Sequence, residues 1–141
     1  MATLYIASTE TFVGKSAVCV GLLDRTRRDG FQIGYMKPVS VALANASGAD
    51  GDDDAAFICG NFGLTEPLEQ VAPVLITPGA VESLLRGQPS NHARRLRDAY
   101  LAVSRGKDVL VLEGANTWSE GALVDLTADQ VIELLGLTLH G

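Results

Sequence analysis

One stretch constrains this chain more than any other: Ala7-Ser8-Thr9-Glu10-Thr11-Phe12-Val13-Gly14-Lys15-Ser16. A β-favouring apolar run, Leu4-Tyr5-Ile6, precedes it, and a long apolar-periodic segment follows. Strand, loop, then Gly-Lys-Ser at the mouth of a helix is the order in which a P-loop holds nucleotide phosphates. Gly14 lets the backbone approach an anion closely and turn into the helix. The first amides of that helix have no intrahelical partner and point outward, towards phosphate oxygens. Lys15 supplies a point charge for the outer phosphates, and the Ser16 hydroxyl suits Mg²⁺. The strict pattern asks for glycine at position 9, where this chain has Thr9. Gly-Lys-Ser by itself is common. A plain helix start with a solvated Lys15 therefore stays open beside the phosphate reading.

Size bounds the rest. A chain of 141 residues with 47% hydrophobic residues makes a single domain over residues 1–141 and can bury a core. A formal net charge of −6 argues against binding a nucleic-acid backbone, which needs a basic face. It does not argue against a nucleotide, which needs only local positive charge. Cys19 and Cys59 have neither metal nor redox spacing and read as small core residues in a reducing compartment. No apolar run approaches the ~18 residues of a membrane span, and the N-terminus runs straight into strand residues without a signal peptide. The expectation is a cytoplasmic protein.

The chain alternates strand and helix signals. Thr3 to Ala7 reads as a strand. A helix runs from about Lys15 to Asp29, apolar around more than one face, as if packed between layers, with Gly30 as its stop. Phe31 to Met36 reads as a second strand ending in Lys37-Pro38-Val39. Ligands of open α/β sheets bind beyond the carboxyl ends of strands, so Lys37 is either a ligand group or an edge lysine that snorkels. Residues 40–51 read as a loop. Asp50, Asp52, Asp53 and Asp54 lead into a short helix, where capping explains one or two of them and a hard cation another. Pro67 to Pro73 reads as irregular, and Val74-Leu75-Ile76 as a short apolar run. Thr77 caps a helix with Pro78 at its first position. Ser90 or Asn91 caps the next, with Leu96, Ala99, Tyr100 and Val103 inward and Arg94, Arg95 and Arg97 outward. Val109-Leu110-Val111-Leu112 is apolar without alternation, as in a parallel strand buried on both faces. Glu113 ends it, either as a metal-side carboxylate or as a surface or capping residue. Trp118 falls in the loop that follows. Thr127 to Gln130 is a capping box, and Gly136 stops its helix. Leu137 to Gly141 begins what reads as another strand. The βα units suit a doubly wound sheet, which looks cut short or completed by a partner.

Four anchors in order carry a family resemblance: Ser8 to Ser16, Met36-Lys37-Pro38-Val39, Asp52-Asp53-Asp54-Ala55, and Val111-Leu112-Glu113-Gly114-Ala115. Together they resemble the dethiobiotin synthetase superfamily of P-loop proteins. The stretch from Asp52 to Gly87 looks closer still to the dethiobiotin-synthetase-like N-terminal domain of some phosphotransacetylases. The resemblance implies a P-loop NTPase-like α/β fold, a mostly parallel sheet with helices on both faces, lacking its C-terminal strands. It implies that the backbone at Ser8, Thr9, Thr11, Val13 and Gly14, with Lys15, holds ATP phosphates. Ser16, Asp54 and Glu113 then lie on the Mg²⁺ side, and Lys37 matches the lysine that reaches a carbamate and the terminal phosphate in the synthetases.

Departures qualify the match. The synthetases carry glycine where this chain has Ser8, and Gly-Gly where it has Asn116-Thr117. Their Ser-Pro-His substrate element is not visible near Val74 to Val81. Ser8 adds a Cβ where close backbone approach is expected, so nucleotide affinity turns on it. The leading expectation is a Mg²⁺-ATP-binding, nucleotide-sensing module related to phosphotransacetylase, with a phosphotransacetylase catalytic domain as partner and a homodimer as its assembly. The alternatives are an ATP-dependent carboligase of the dethiobiotin synthetase type, and a structural module that has kept the fold without nucleotide.

Overall fold

The structure is a computed structural model that describes residues 1–8, 14–41, 53–117 and 119–137. Strand β1 (Ala2–Ile6) leads to helix α1 (Lys15–Arg28), then to β2 (Ile33–Met36) and β3 (Val39–Val41). Helices α2 (Asp53–Phe62) and α3 (Leu68–Val71) follow, then β4 (Val74–Ile76), α4 (Pro78–Leu85) and α5 (His92–Ser104). The chain continues through β5 (Val109–Glu113), a 3₁₀ turn (Ala122–Val124) and α6 (Ala128–Leu134).

The strands form a three-stranded sheet in the order β1-β5-β2 and a two-stranded one, β3-β4. Every described pair is parallel. The apolar run Val109 to Leu112 therefore lies in the centre, as a strand covered on both faces must. Alternation along β5 splits the core in two. Leu110 and Leu112 join Met36, Leu96, Ala99, Val103 and Val131 on the α5 and α6 face. Val111 joins Ile33, Tyr35, Cys19, Leu23, Ala55 and Ile58 on the α1 and α2 face. Helices thus cover both faces of a parallel sheet, as the chain pattern implies.

Register positions the site. Ile6 lies beside Glu113, and Met36 beside Leu112. The carboxyl ends of β1, β5 and β2 are level, so the segment after β1, the Glu113 side chain and Lys37 share one rim of the sheet.

Several expectations need correction. Helix α1 does not pack between layers: only Lys15, Cys19 and Leu23 are buried, one stripe at a spacing of four residues, while Val18 is half exposed. Strand β2 starts at Ile33 rather than Phe31, which is half exposed. The segment read as a loop from residue 40 opens with strand β3, and the segment read as irregular holds α3. Both depend on distant partners. Strand β3 is paired by β4, and α3 is held where the Val71 carbonyl accepts the Lys37 amide at 2.7 Å. Local patterns do not report such partners. The Thr77 cap is present, its hydroxyl accepting from the Ala80 amide at 3.1 Å, and so is the capping box at Thr127. Asn91 occupies the N-cap of α5 without a side-chain cap bond. The strand expected at Leu137 to Gly141 lies almost wholly outside the described residues.

An ion pair fastens the opposite rim. Lys107 Nζ lies 2.6 Å from Glu66 Oε1, with both side chains largely buried. Burial is the largest influence and opposes the Glu66 charge, but the hydrogen bond and charge of Lys107, together with backbone hydrogen bonds at Glu66 and Thr65, outweigh it and hold the carboxyl below its ordinary value of 4.5. A carboxylate lowered on folding stabilises above its unfolded pKa, and that contribution is lost as pH falls through the folded one. Acidification from neutral pH through the lowered folded value is expected to remove roughly 1 kcal/mol through this pair. Thermal unfolding of a Glu66→Gln variant should show a correspondingly smaller acid-induced fall. Identical falls in both proteins would overturn the assignment.

Candidate functional site

Gly14 is the N-cap of α1 and sits at φ 79°, in the left-handed region. Glycine reaches that conformation without a Cβ penalty, and it turns the chain directly into the helix. Lys15 and Ser16 occupy the first helical turn, where the orphan amides point away from the helix. Gly14, having no side chain, offers them no cap. The positive end of the helix dipole is thus left for an anion.

Lys15 is 8% exposed, unlike a solvated surface lysine, and no carboxylate lies within ion-pair distance of it among the described residues. Ser16 Oγ donates to Glu113 Oε1 at 2.7 Å. Glu113 is itself 3% exposed. It is therefore neither a surface nor a capping residue. Its second oxygen accepts from Tyr35 Oη at 2.5 Å. Buried carboxylates need such donors, because desolvation of the charge is otherwise costly.

Lys37 follows β2 with its side chain 12% exposed, and its Nζ lies 3.9 Å from Asp54 Oδ2. Asp54, in the first turn of α2, is 70% exposed. Asp54 and Ser16 line one cavity of about 270 Å³ together with Ala17, Val20, Phe57 and Ile58. The structure thus links Glu113 to Ser16, Ser16 to Asp54 across a shared cavity, and Asp54 to Lys37. Cys19 reports their common field. Burial pushes its thiol up to about 12; the Glu113 charge adds to the rise, and Lys15 and Lys37 oppose it. Among the described residues no group of three or more His, Cys, Asp and Glu side chains is arranged to hold a metal.

Ser8 Oγ donates to the Asn116 carbonyl at 3.0 Å. Glu120 Oε2 in turn accepts from the amides of Asn116, at 2.6 Å, and Thr117, at 3.3 Å. Two departures from the synthetase pattern, Ser8 and Asn116-Thr117, therefore touch each other. They tie the end of β1 to the loop after β5. Thr9, Thr11, Val13 and Trp118 lie outside the described residues, as do Asp50 and Asp52. Of Asp53 only the backbone is described.

Two contributors escaped the sequence reading, Tyr35 and the Asn116 carbonyl. The signal for Tyr35 was present. It stands on the same face of the sheet as Val111 and Glu113, and a buried phenol seeks a polar partner. For Asn116 a backbone carbonyl carries the contact, which residue identity does not encode.

A parallel sheet sandwiched by helices, with Gly14-Lys15-Ser16 opening α1 opposite a buried carboxylate at the end of β5, defines a P-loop NTPase-like domain. The chain belongs to the family described as an AAA domain, which matches residues 2–139. It is similar to the ATP-dependent dethiobiotin synthetase of Pseudomonas aeruginosa strain UCBPP-PA14, with 28% identity over 121 residues, 84% of this chain and 53% of that protein. It is similar to the synthetase of Aromatoleum aromaticum, 30% identical over 113 residues, 78% of this chain and 50% of that protein. A third, from Methanococcus vannielii, is 23% identical over 137 residues, 96% of this chain and 61% of that protein. The chain spans about 50–61% of the length of these curated relatives. No helix among the described residues is long and apolar enough to cross a membrane.

Proposed function

We propose that this chain is a Mg²⁺-ATP-binding P-loop domain that senses nucleotide and is related to the N-terminal domain of phosphotransacetylases. The observation that supports the reading best is the Ser16–Glu113 hydrogen bond at the mouth of α1. It pairs the hydroxyl of the Gly-Lys-Ser turn with a buried carboxylate, a set of hard oxygens. Mg²⁺ on a nucleotide takes one or two carboxylates and keeps phosphate oxygens and waters for its other positions. Ser16, Glu113 and Asp54 fit that need, and Lys15 with the first amides of α1 would hold the phosphates. The ion's contribution when bound is charge neutralisation between phosphate groups. The sensing role rests on the departures at Ser8 and Asn116-Thr117, which tie the phosphate-side backbone to the loop after β5. We also propose a homodimer as the working assembly, to be checked by light scattering.

Titration of ATP with Mg²⁺, and again with EDTA in its place, tests the binding reading. Saturable binding that Mg²⁺ tightens is the expected result. No saturable ATP binding under either condition would sink it.

A carboligase of the dethiobiotin synthetase type is the second reading. Its support is Lys37, largely covered at the sheet's carboxyl rim with Asp54 3.9 Å away, together with the ATP-dependent synthetase activity for which the relatives are named. Lys37 would there stabilise charge on a carbamate as it attacks the terminal phosphate. Phosphate release that requires both a diamine and bicarbonate would favour this reading over sensing.

A further inference from the structure

We propose that Tyr35 is a positioning residue for the metal side of the site, aiming the Glu113 carboxylate at Ser16; the inference rests on the Mg²⁺-ATP reading. Tyr35 is 1% exposed in the middle of β2, and its backbone is paired with Val111. Its ring stands on the α1 face of the sheet and reaches along β5 to the next residue on that face, Glu113. The phenol donates to Oε2, and Ser16 donates to Oε1.

This arrangement fixes the carboxylate at both ends. A free carboxylate rotates about its last torsion with only broad preferences. With one oxygen held by Tyr35, the other is directed to the first turn of α1, where the phosphates and their ion are expected. The hydrogen bond also replaces water that a buried charge would otherwise need. Tyr35 touches neither nucleotide nor metal in this reading; it acts through Glu113. Tight packing of a phenol against a central strand fixes it well, because both of its torsions are locked by core neighbours.

The test is the gain in ATP affinity on replacing EDTA by Mg²⁺, measured in the wild type, Tyr35→Phe, Glu113→Gln and the double variant. The phenylalanine keeps the ring and removes the donor. The Mg²⁺-dependent gain is expected to fall roughly ten-fold in Tyr35→Phe, the scale of one hydrogen bond to a charged group, while affinity in EDTA holds. In the Glu113→Gln background, Tyr35→Phe should add no further loss, because the two act as one unit. An equal loss with and without Mg²⁺ would mean a structural role only and overturn the proposal. So would an unchanged gain. A wild type that binds ATP with no Mg²⁺ dependence would overturn this inference and leave phosphate binding standing, whereas no ATP binding at all would remove both. Should Tyr35→Phe not fold, 3-fluorotyrosine at position 35 keeps the hydroxyl. Its fluorine resonance should move when Mg²⁺ is added to the ATP complex, and an unmoved resonance would equally overturn the proposal.

Discussion

Replacing Lys15 by alanine is expected to weaken ATP binding by roughly 100-fold, about 3 kcal/mol, in the presence of Mg²⁺. The argument starts from burial. A lysine 8% exposed, with no carboxylate at ion-pair distance among the described residues, carries a charge that water screens poorly. It sits in the first turn of α1, where the dipole and the unpaired amides already favour an anion. A phosphate there would interact with the ammonium at a reduced effective dielectric, which is worth several times its value in bulk water. Lys15→Ala removes that charge and leaves the amides, so residual weak binding is expected rather than none. Isothermal titration of both proteins decides it, with far-UV circular dichroism to confirm that the variant is folded. Arg28→Ala, at the far end of α1 and largely exposed, is the matched control for a lost charge and should bind as the wild type does. Equal affinity in Lys15→Ala and wild type would end the P-loop reading.

The parts of the site that local chemistry encodes were legible in the sequence. The place of Gly14-Lys15-Ser16 was readable because a glycine, a lysine and a hydroxyl stand between a strand signal and a helix signal, although β1 itself has no fully buried residue. The position of Glu113 was readable because four apolar residues without alternation require burial on both faces; that the carboxylate is itself buried, with Tyr35 and Ser16 as donors, was not. For Lys37 the position at a strand's carboxyl end was legible, while that position left a ligand group and an edge lysine equally open. Helix α1 was misjudged for a physical reason: its small apolar residues, Ala17 and Val18, tolerate water, and only neighbouring elements decide which stripe is covered. Strand β3 is three residues long after a proline, and β4 alone makes it a strand. Tyr35 lay in plain view within a strand whose presence was read, although its start was placed two residues early. Its role depends on register between β2 and β5, which pairing across the sheet sets and no single segment contains.

Gly121→Ala is expected to destabilise the fold by about 3 kcal/mol or more, and to lower the unfolding temperature by roughly 10 °C. Gly121 sits at φ 96° ahead of the 3₁₀ turn, a conformation that side chains resist. Space is the larger problem. A Cβ there would lie 2.3 Å from the Leu126 carbonyl oxygen and 2.9 Å from its carbon. That carbonyl is backbone and cannot swing aside as the end of a side chain can. The Gly121 carbonyl also accepts from the amides of Val124 and Leu126, each at 3.0 Å, so the turn closes on itself. Relieving the clash must break one of these bonds or lift Leu126, which is 3% exposed in the core beneath. The damage reaches the site through Glu120, next in chain, whose carboxylate holds the Asn116 and Thr117 amides beside Ser8. ATP affinity well below the unfolding temperature should therefore fall as well, by a smaller factor than in Lys15→Ala. Gly79→Ala supplies the opposite sign. Gly79 lies in α4 without positive φ, and a Cβ would meet only the Thr77 hydroxyl at 3.8 Å. Alanine there should stabilise by about 0.5–1 kcal/mol, from helix propensity and a less flexible unfolded chain. Thermal unfolding of the two variants side by side thus separates the cost of a Cβ at one glycine from its benefit at another. Similar unfolding temperatures would show that the turn before α6 is not packed as described.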